Sequence, residues 1–142
     1  MKSRLAITII WLAGLALAVI VVEAYFARHT AEGIPWLLPE DRPPAYKMLA
    51  TIYGGAIGAM LACWFSKPFP PLRQKTRLKQ IAALAVGLTV AYNLLLLFLL
   101  AQGHWAPENS LPDLLARTRT IAGTLAFLVI PVNAAYFGMK PA

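Results

Sequence analysis

The chain has 142 residues, 59% of them hydrophobic and 13% charged, with a formal net charge of +7. Soluble domains are about a quarter charged, so the composition argues against a water-soluble fold. The excess of Lys and Arg is explained by the bias of cations toward the cytoplasmic side of a membrane, and no nucleic-acid partner is expected.

Crossing a hydrocarbon core of ~30 Å takes about 20 apolar residues at ~1.5 Å each. The first such run covers about residues 5–26 and follows Lys2 and Arg4. Its basic leader and Ala16-Leu17-Ala18 resemble a signal peptide, yet the apolar run continues through Val19-Ile20-Val21-Val22. That length predicts a retained signal anchor. Glu23 is an ionisable group inside this run, about one turn from its outer end, and is a functional candidate by default. The expected partners are Lys47, Arg117 and Arg119. The alternatives are an acid exposed at the interface and a proton or cation site. The following loop is Pro-rich. Its residues 34–39 are too short to cross, and are expected to dip into the interface with Trp36 as anchor or to fold over the bundle as a lid.

The second run, about 46–65, begins after Pro43-Pro44, residues suited to a first helical turn. Gly54, Gly58 and Ala62 form a small-residue stripe at helical spacing, and the third run repeats it with Ala83, Gly87 and Ala91. The first and fourth runs offer Gly14/Ala18 and Ala122/Ala126. Such stripes let helices approach closely in lipid. They are expected to pack the bundle internally, with an oligomer or partner seam on the second helix as the alternative. Cys63 is the sole cysteine, which excludes an intrachain disulfide, and is read as a small buried hydrophobe. The loop after this run carries Lys67, Arg73, Lys75, Arg77 and Lys79 and no acid.

The third run, about 81–101, is apolar all round over residues 94–100, suiting lipid or a greasy partner. The fourth, about 116–137, follows Ser110 and Asp113, which have capping-box spacing. Asp113 and Arg117 are placed to pair four residues apart, and Pro131 is expected to kink the helix near Phe127 and Leu128. Counted by helical rise, Tyr53, Asn93 and Thr124 fall at one height, and Asn133 falls nearer the inner surface, close to Trp11. An interhelical hydrogen-bonded layer is expected there, with a polar substrate pocket as the alternative.

With both termini cytoplasmic, Lys2, Arg4, Lys67, Arg73, Lys75, Arg77, Lys79 and Lys140 lie inside with no acid. Arg28, Arg42, Lys47, Arg117 and Arg119 then lie outside with all six acids, Glu23, Glu32, Glu40, Asp41, Glu108 and Asp113. The positive-inside rule favours this orientation. The expected fold is therefore all-α: a four-helix transmembrane bundle forming one domain over 1–142, set in a bacterial inner membrane.

Function is less constrained. The serines, Ser3, Ser66 and Ser110, stand in no nucleophile context. His29 and His104 match no metal-ligand spacing, so no metal or cofactor is predicted and a non-enzymatic role is favoured. Small multidrug exporters share four spans and an acid in the first helix. Theirs lies near mid-membrane among aromatics, whereas Glu23 is displaced outward and no further motif matches, so no family is assigned. The leading expectation is a protein acting by helix–helix contact as accessory subunit or protector of a larger membrane complex, with a membrane-protein partner or a homo-oligomer. A small oligomeric transporter using Glu23 and the polar layer is the first alternative. A redox or metal-handling component with an outer-face site at His29 and His104 is the second.

Overall fold

An unpaired backbone N–H or C=O in hydrocarbon costs several kcal/mol, so a long apolar run there is satisfied most directly as a helix. The computed structural model describes residues 2–28, 33, 37–65, 75–105 and 110–138, and among them every apolar run is helical and no strand occurs. The helices are α1 (Lys2–Phe26), α2 (Arg42–Phe65), α3 (Lys75–Ala101) and α4 (Leu111–Gly138), with short 3-10 turns at Pro39–Asp41 and Gln102–His104. His29, Glu32, Trp36, Glu108 and residues 66–74 lie outside the described residues, as does the Cys63 side chain.

Each helix runs somewhat beyond its apolar stretch, because backbone bonding continues into the polar flanks. Pro43 and Pro44 occupy the first turn of α2, where N–H groups lack in-helix partners anyway. Ser110 caps α4: its hydroxyl donates to Asp113 Oδ2 at 2.5 Å and accepts the Asp113 amide at 3.3 Å. The helix continues through Pro131 to Gly138.

Three helices, α1, α3 and α4, are long and apolar enough to cross a membrane. The α2 composition is diluted by Lys47, Thr51 and three glycines. Its height nonetheless matches: from Tyr46 to Trp64 the rise is roughly 27 Å. Aromatic rings gather at both ends of the bundle, Trp64 with Phe137 at one and Phe98 with Trp105 at the other, as at two membrane–water interfaces.

Around the bundle the order is α1, α2, α4, α3, so α1 stands diagonal to α4. Each sequential hairpin is antiparallel, and α1 with α3 and α2 with α4 are parallel neighbours. Trp11, Tyr53 and Tyr92 meet at the centre, with Trp11 edge-on to Tyr53 at 6.1 Å and tilted against Tyr92 at 5.3 Å. The α1–α3 contact is closest at Gly14, where a methyl group would lie 1.9 Å from Asn93 Oδ1. Asn93 is held there by its own Nδ2, which donates to Thr89 O at 2.9 Å.

The small-residue stripes do not pack the bundle internally. Gly54, Gly58, Ala62, Ala83, Gly87 and Ala91 are all exposed on its outer surface, and a side chain at Gly54, Gly58 or Gly87 would meet nothing within 4 Å. The inward faces of α2 and α3 carry large residues instead, Leu49, Tyr53 and Met60 on one and Tyr92, Leu96 and Leu100 on the other. The stripe that does serve the interior is Gly14 with Ala18 on α1.

Replacing Gly14 by Ala should destabilise the bundle by about 1–3 kcal/mol through overpacking. Adding Asn93→Ala should cancel most of that cost, so the double variant resembles Asn93→Ala alone. Detergent unfolding of the four proteins measures the coupling, and strictly additive effects would refute the contact.

Candidate functional site

Glu23 was the sharpest candidate in the sequence, and its surroundings differ from those expected. Its carboxylate accepts a hydrogen bond from Tyr46 OH and forms an ion pair with Arg42 Nη2 at 3.4 Å. The Arg42 guanidinium also covers the Phe26 ring at 5.2 Å. Arg42 and Tyr46 are four apart, hence on one face of α2, and that face meets α1. Lys47 is rotated by about 100° to the exposed side. Arg117 and Arg119 stand on α4, across the diagonal. None of the three pairs with Glu23, which forms the only ion pair between described residues. The expected Asp113–Arg117 pair is likewise absent among them. The side chains of Arg42 and Glu23 are 48% and 38% exposed, so this is a rim interaction and not a buried charge.

A second rim cluster was not anticipated. Tyr25 OH donates to Leu100 O at 2.6 Å, and Arg28 Nη1 and Nη2 donate to Gly103 O and His104 O, each at 3.2 Å. The Arg28 guanidinium lies 5.7 Å from the Tyr25 ring centre, and His104 stacks on that ring at 4.2 Å. The last carbonyls of a helix lack in-helix donors and carry partial negative charge. A cation from the end of α1 thus caps the parallel neighbour α3. Gly103 makes the approach possible, since a Cβ there would lie 2.5 Å from Leu114 Cδ1 and 2.6 Å from Tyr25 OH. His104 belongs to this cap, and among the described residues no cluster of His, Cys, Asp and Glu has the makings of a metal site.

The intramembrane polar layer is only partly assembled. Tyr53 and Asn93 are buried, but Thr124 is exposed on α4 and its hydroxyl donates back to Thr120 O at 2.9 Å. Asn133 is buried and exchanges hydrogen bonds with Thr89 Oγ1 at 2.9 and 3.2 Å, joining α4 to α3. Thr89 was missed because a lone Thr in an apolar run carries no pattern. The Tyr92 hydroxyl, also missed, donates to Ala122 O at 3.1 Å. Among the described residues, four buried polar atoms, Trp11 Nε1, Tyr53 OH, Asn93 Oδ1 and Thr118 Oγ1, have no hydrogen-bond partner.

Among the described residues, several clefts share one seam. Between α2 and α4 a string of clefts runs from the Glu23 end toward the other. The first, about 110 Å³, lies between Asp41, Met48 and Leu115. The next, about 530 Å³ and wide open, is lined by Met48, Ala116, Arg119, Thr120, Gly123 and Thr124. It leads to a cleft of about 230 Å³ between Thr51, Gly55, Tyr92, Arg119 and Gly123. The last, near Asn133 and Phe137, is only about 10 Å³, the room of roughly one water. Arg119 lines both of the larger clefts and makes no hydrogen bond or ion pair with a described residue. Arg117, about 200° round the helix from Arg119, faces away from this seam.

The fold and this surface define an all-helical membrane protein. The chain matches no family model, no curated protein and no solved structure, so its residues alone carry the functional reading.

The two rim clusters should differ in weight. Arg28→Ala removes two charge-assisted bonds to a helix terminus and should lower stability by about 1–2 kcal/mol. Glu23→Gln weakens a half-exposed pair and should cost under about 1 kcal/mol. Unfolding in mild detergent ranks them, and a larger loss for Glu23→Gln would contradict the partner assignments.

Proposed function

We propose that this protein works by helix–helix contact in a bacterial inner membrane, with both termini cytoplasmic and α2 crossing beside the other three helices. It would act as an accessory subunit or protector of a larger membrane complex, and the α2–α4 side is its working face. The observation that carries this reading is the contrast between two surfaces. The outward residues of α1 and α3 are mainly bulky hydrocarbon, among them Leu5, Ile9, Ile20, Leu84, Leu94 and Phe98, with one small-residue stripe at Ala83, Gly87 and Ala91. Those of α2 and α4 toward the Glu23 end include Thr51, Gly54, Gly55, Gly58, Thr120, Gly123 and Thr124, and there Thr51, Gly55, Thr120, Gly123 and Thr124 line open clefts.

A glycine inside a helix costs about 1 kcal/mol relative to alanine. At Gly54, Gly55, Gly58 and Gly123 nothing in this chain occupies the space a side chain would fill. Lipid tails do not require that space, whereas a second helix approaching backbone to backbone does. The transporter alternative has less support. Glu23 is paired at the rim, and Thr124 faces away from Tyr53 and Asn93.

Alanine at Gly54, Gly55, Gly58 and Gly123 should raise the stability of the isolated chain by about 0.5–1 kcal/mol per site. The same changes should weaken partner contact in native membranes. Photo-crosslinking residues at Thr51 and Thr124 should give protein adducts, and at Ile20 and Leu94 lipid adducts alone. Lipid labelling of both faces alike would sink the reading.

A further inference from the structure

We infer that the α2–α4 cleft receives one transmembrane helix of a different protein, and that this helix presents an acidic side chain to Arg119. The inference rests on the helix-contact reading above and specifies the chemistry of the partner. Arg119 stands eight residues into α4, about 12 Å below its outer end. It lines the two larger clefts and makes no hydrogen bond or ion pair to any described residue. Lys47 is exposed nearby on α2, next to the shared cleft residue Met48. Neither cation pairs with a described acid. Glu23 is taken by Arg42 on the α1 side of α2, and Asp113 lies six residues, about 9 Å, above Arg119.

Charge argues against a two-fold pair of this chain at the cleft. A symmetric pair about an axis along the membrane normal sets the same patch against itself, so Arg119 and Lys47 would meet their own equivalents. In a low dielectric such like charges repel strongly, whereas a carboxylate on a foreign helix complements them. The surrounding shape suits a helix: Gly55 and Gly123 flank the cleft with no side chain, and Thr51, Thr120 and Thr124 spend their hydroxyls on Lys47 O, Ala116 O and Thr120 O. The charge of Arg119, with Lys47 nearby, is therefore the polar demand this face makes on its occupant.

The test uses the full chain, fluorescently labelled, in phosphatidylcholine vesicles. The probes are synthetic transmembrane peptides with a Gly-x-x-x-Gly face and one Glu, Gln or Lys about 12 Å below the outer end, read by energy transfer. The Glu peptide should bind about tenfold more tightly than the other two. Arg119→Gln should erase that preference, and Gly123→Leu, whose Cβ meets nothing within 4 Å, should fill the cleft and abolish binding of all three. Circular dichroism confirms that both variants fold. Equal binding of the three peptides, lost on Gly123→Leu, would overturn the acidic partner while leaving helix contact standing. Binding no stronger than that of a polyleucine control would overturn both. Self-association abolished by Gly123→Leu would assign the cleft to a second copy, and displacement of the Glu peptide by phosphatidylglycerol would assign it to an anionic lipid. Either result refutes the inference.

Discussion

Because α1 packs between α2 and α3 with α4 across the diagonal, every charged side chain at the Glu23 end has a fixed set of neighbours within reach. Glu23 meets the first turns of α2 and finds Arg42 and Tyr46 there. Arg28, just past the end of α1, reaches the carbonyls of the 3-10 turn that follows α3 and caps it. Both clusters tie down the same end of one helix. With α1 fastened to both its neighbours, α2 and α4 are left to close the far side against each other. It is along their seam that the clefts open.

What the sequence made legible was dictated by hydrocarbon. Four apolar lengths, the polar breaks between them, the Ser110 cap and the all-helical fold follow from backbone hydrogen bonding that lipid cannot supply. Facing did not follow. In water a helix buries its apolar stripe and exposes the rest, but in lipid Leu is at home on either side. Leu94 and Leu96 are two apart, one 61% exposed and the other fully buried. The same ambiguity misplaced the small-residue stripes: spacing showed that Gly54, Gly58 and Ala62 share a face, and nothing in spacing says whether that face looks in or out.

Candidate polar residues split along a similar line. Height along a helix can be counted, and Tyr53 and Asn93 do lie in the core. Azimuth cannot be counted without knowing the packing order, and Thr124 points away. The contact of α4 with α3 gives Asn133 its partner Thr89. Arg28 and Gly103 had no motif at all. Their importance comes from a parallel contact between helices far apart in sequence, with Arg28 bonded to a carbonyl 75 positions away.

The exposed threonines narrow what the α2–α4 face can mean. A hydroxyl on a lipid-facing helix usually signals an interhelical hydrogen bond, yet Thr51, Thr120 and Thr124 each donate to the carbonyl four residues back. A hydroxyl satisfied in this way is tolerated by hydrocarbon and by a neighbouring helix alike, so polarity by itself does not require a partner. Two features are not satisfied within the chain: the room beside Gly55 and Gly123, and the charge of Arg119. Lipid tails fill the first at little gain and do nothing for the second. A helix with a recessed carboxylate, the occupant proposed above, would meet both demands.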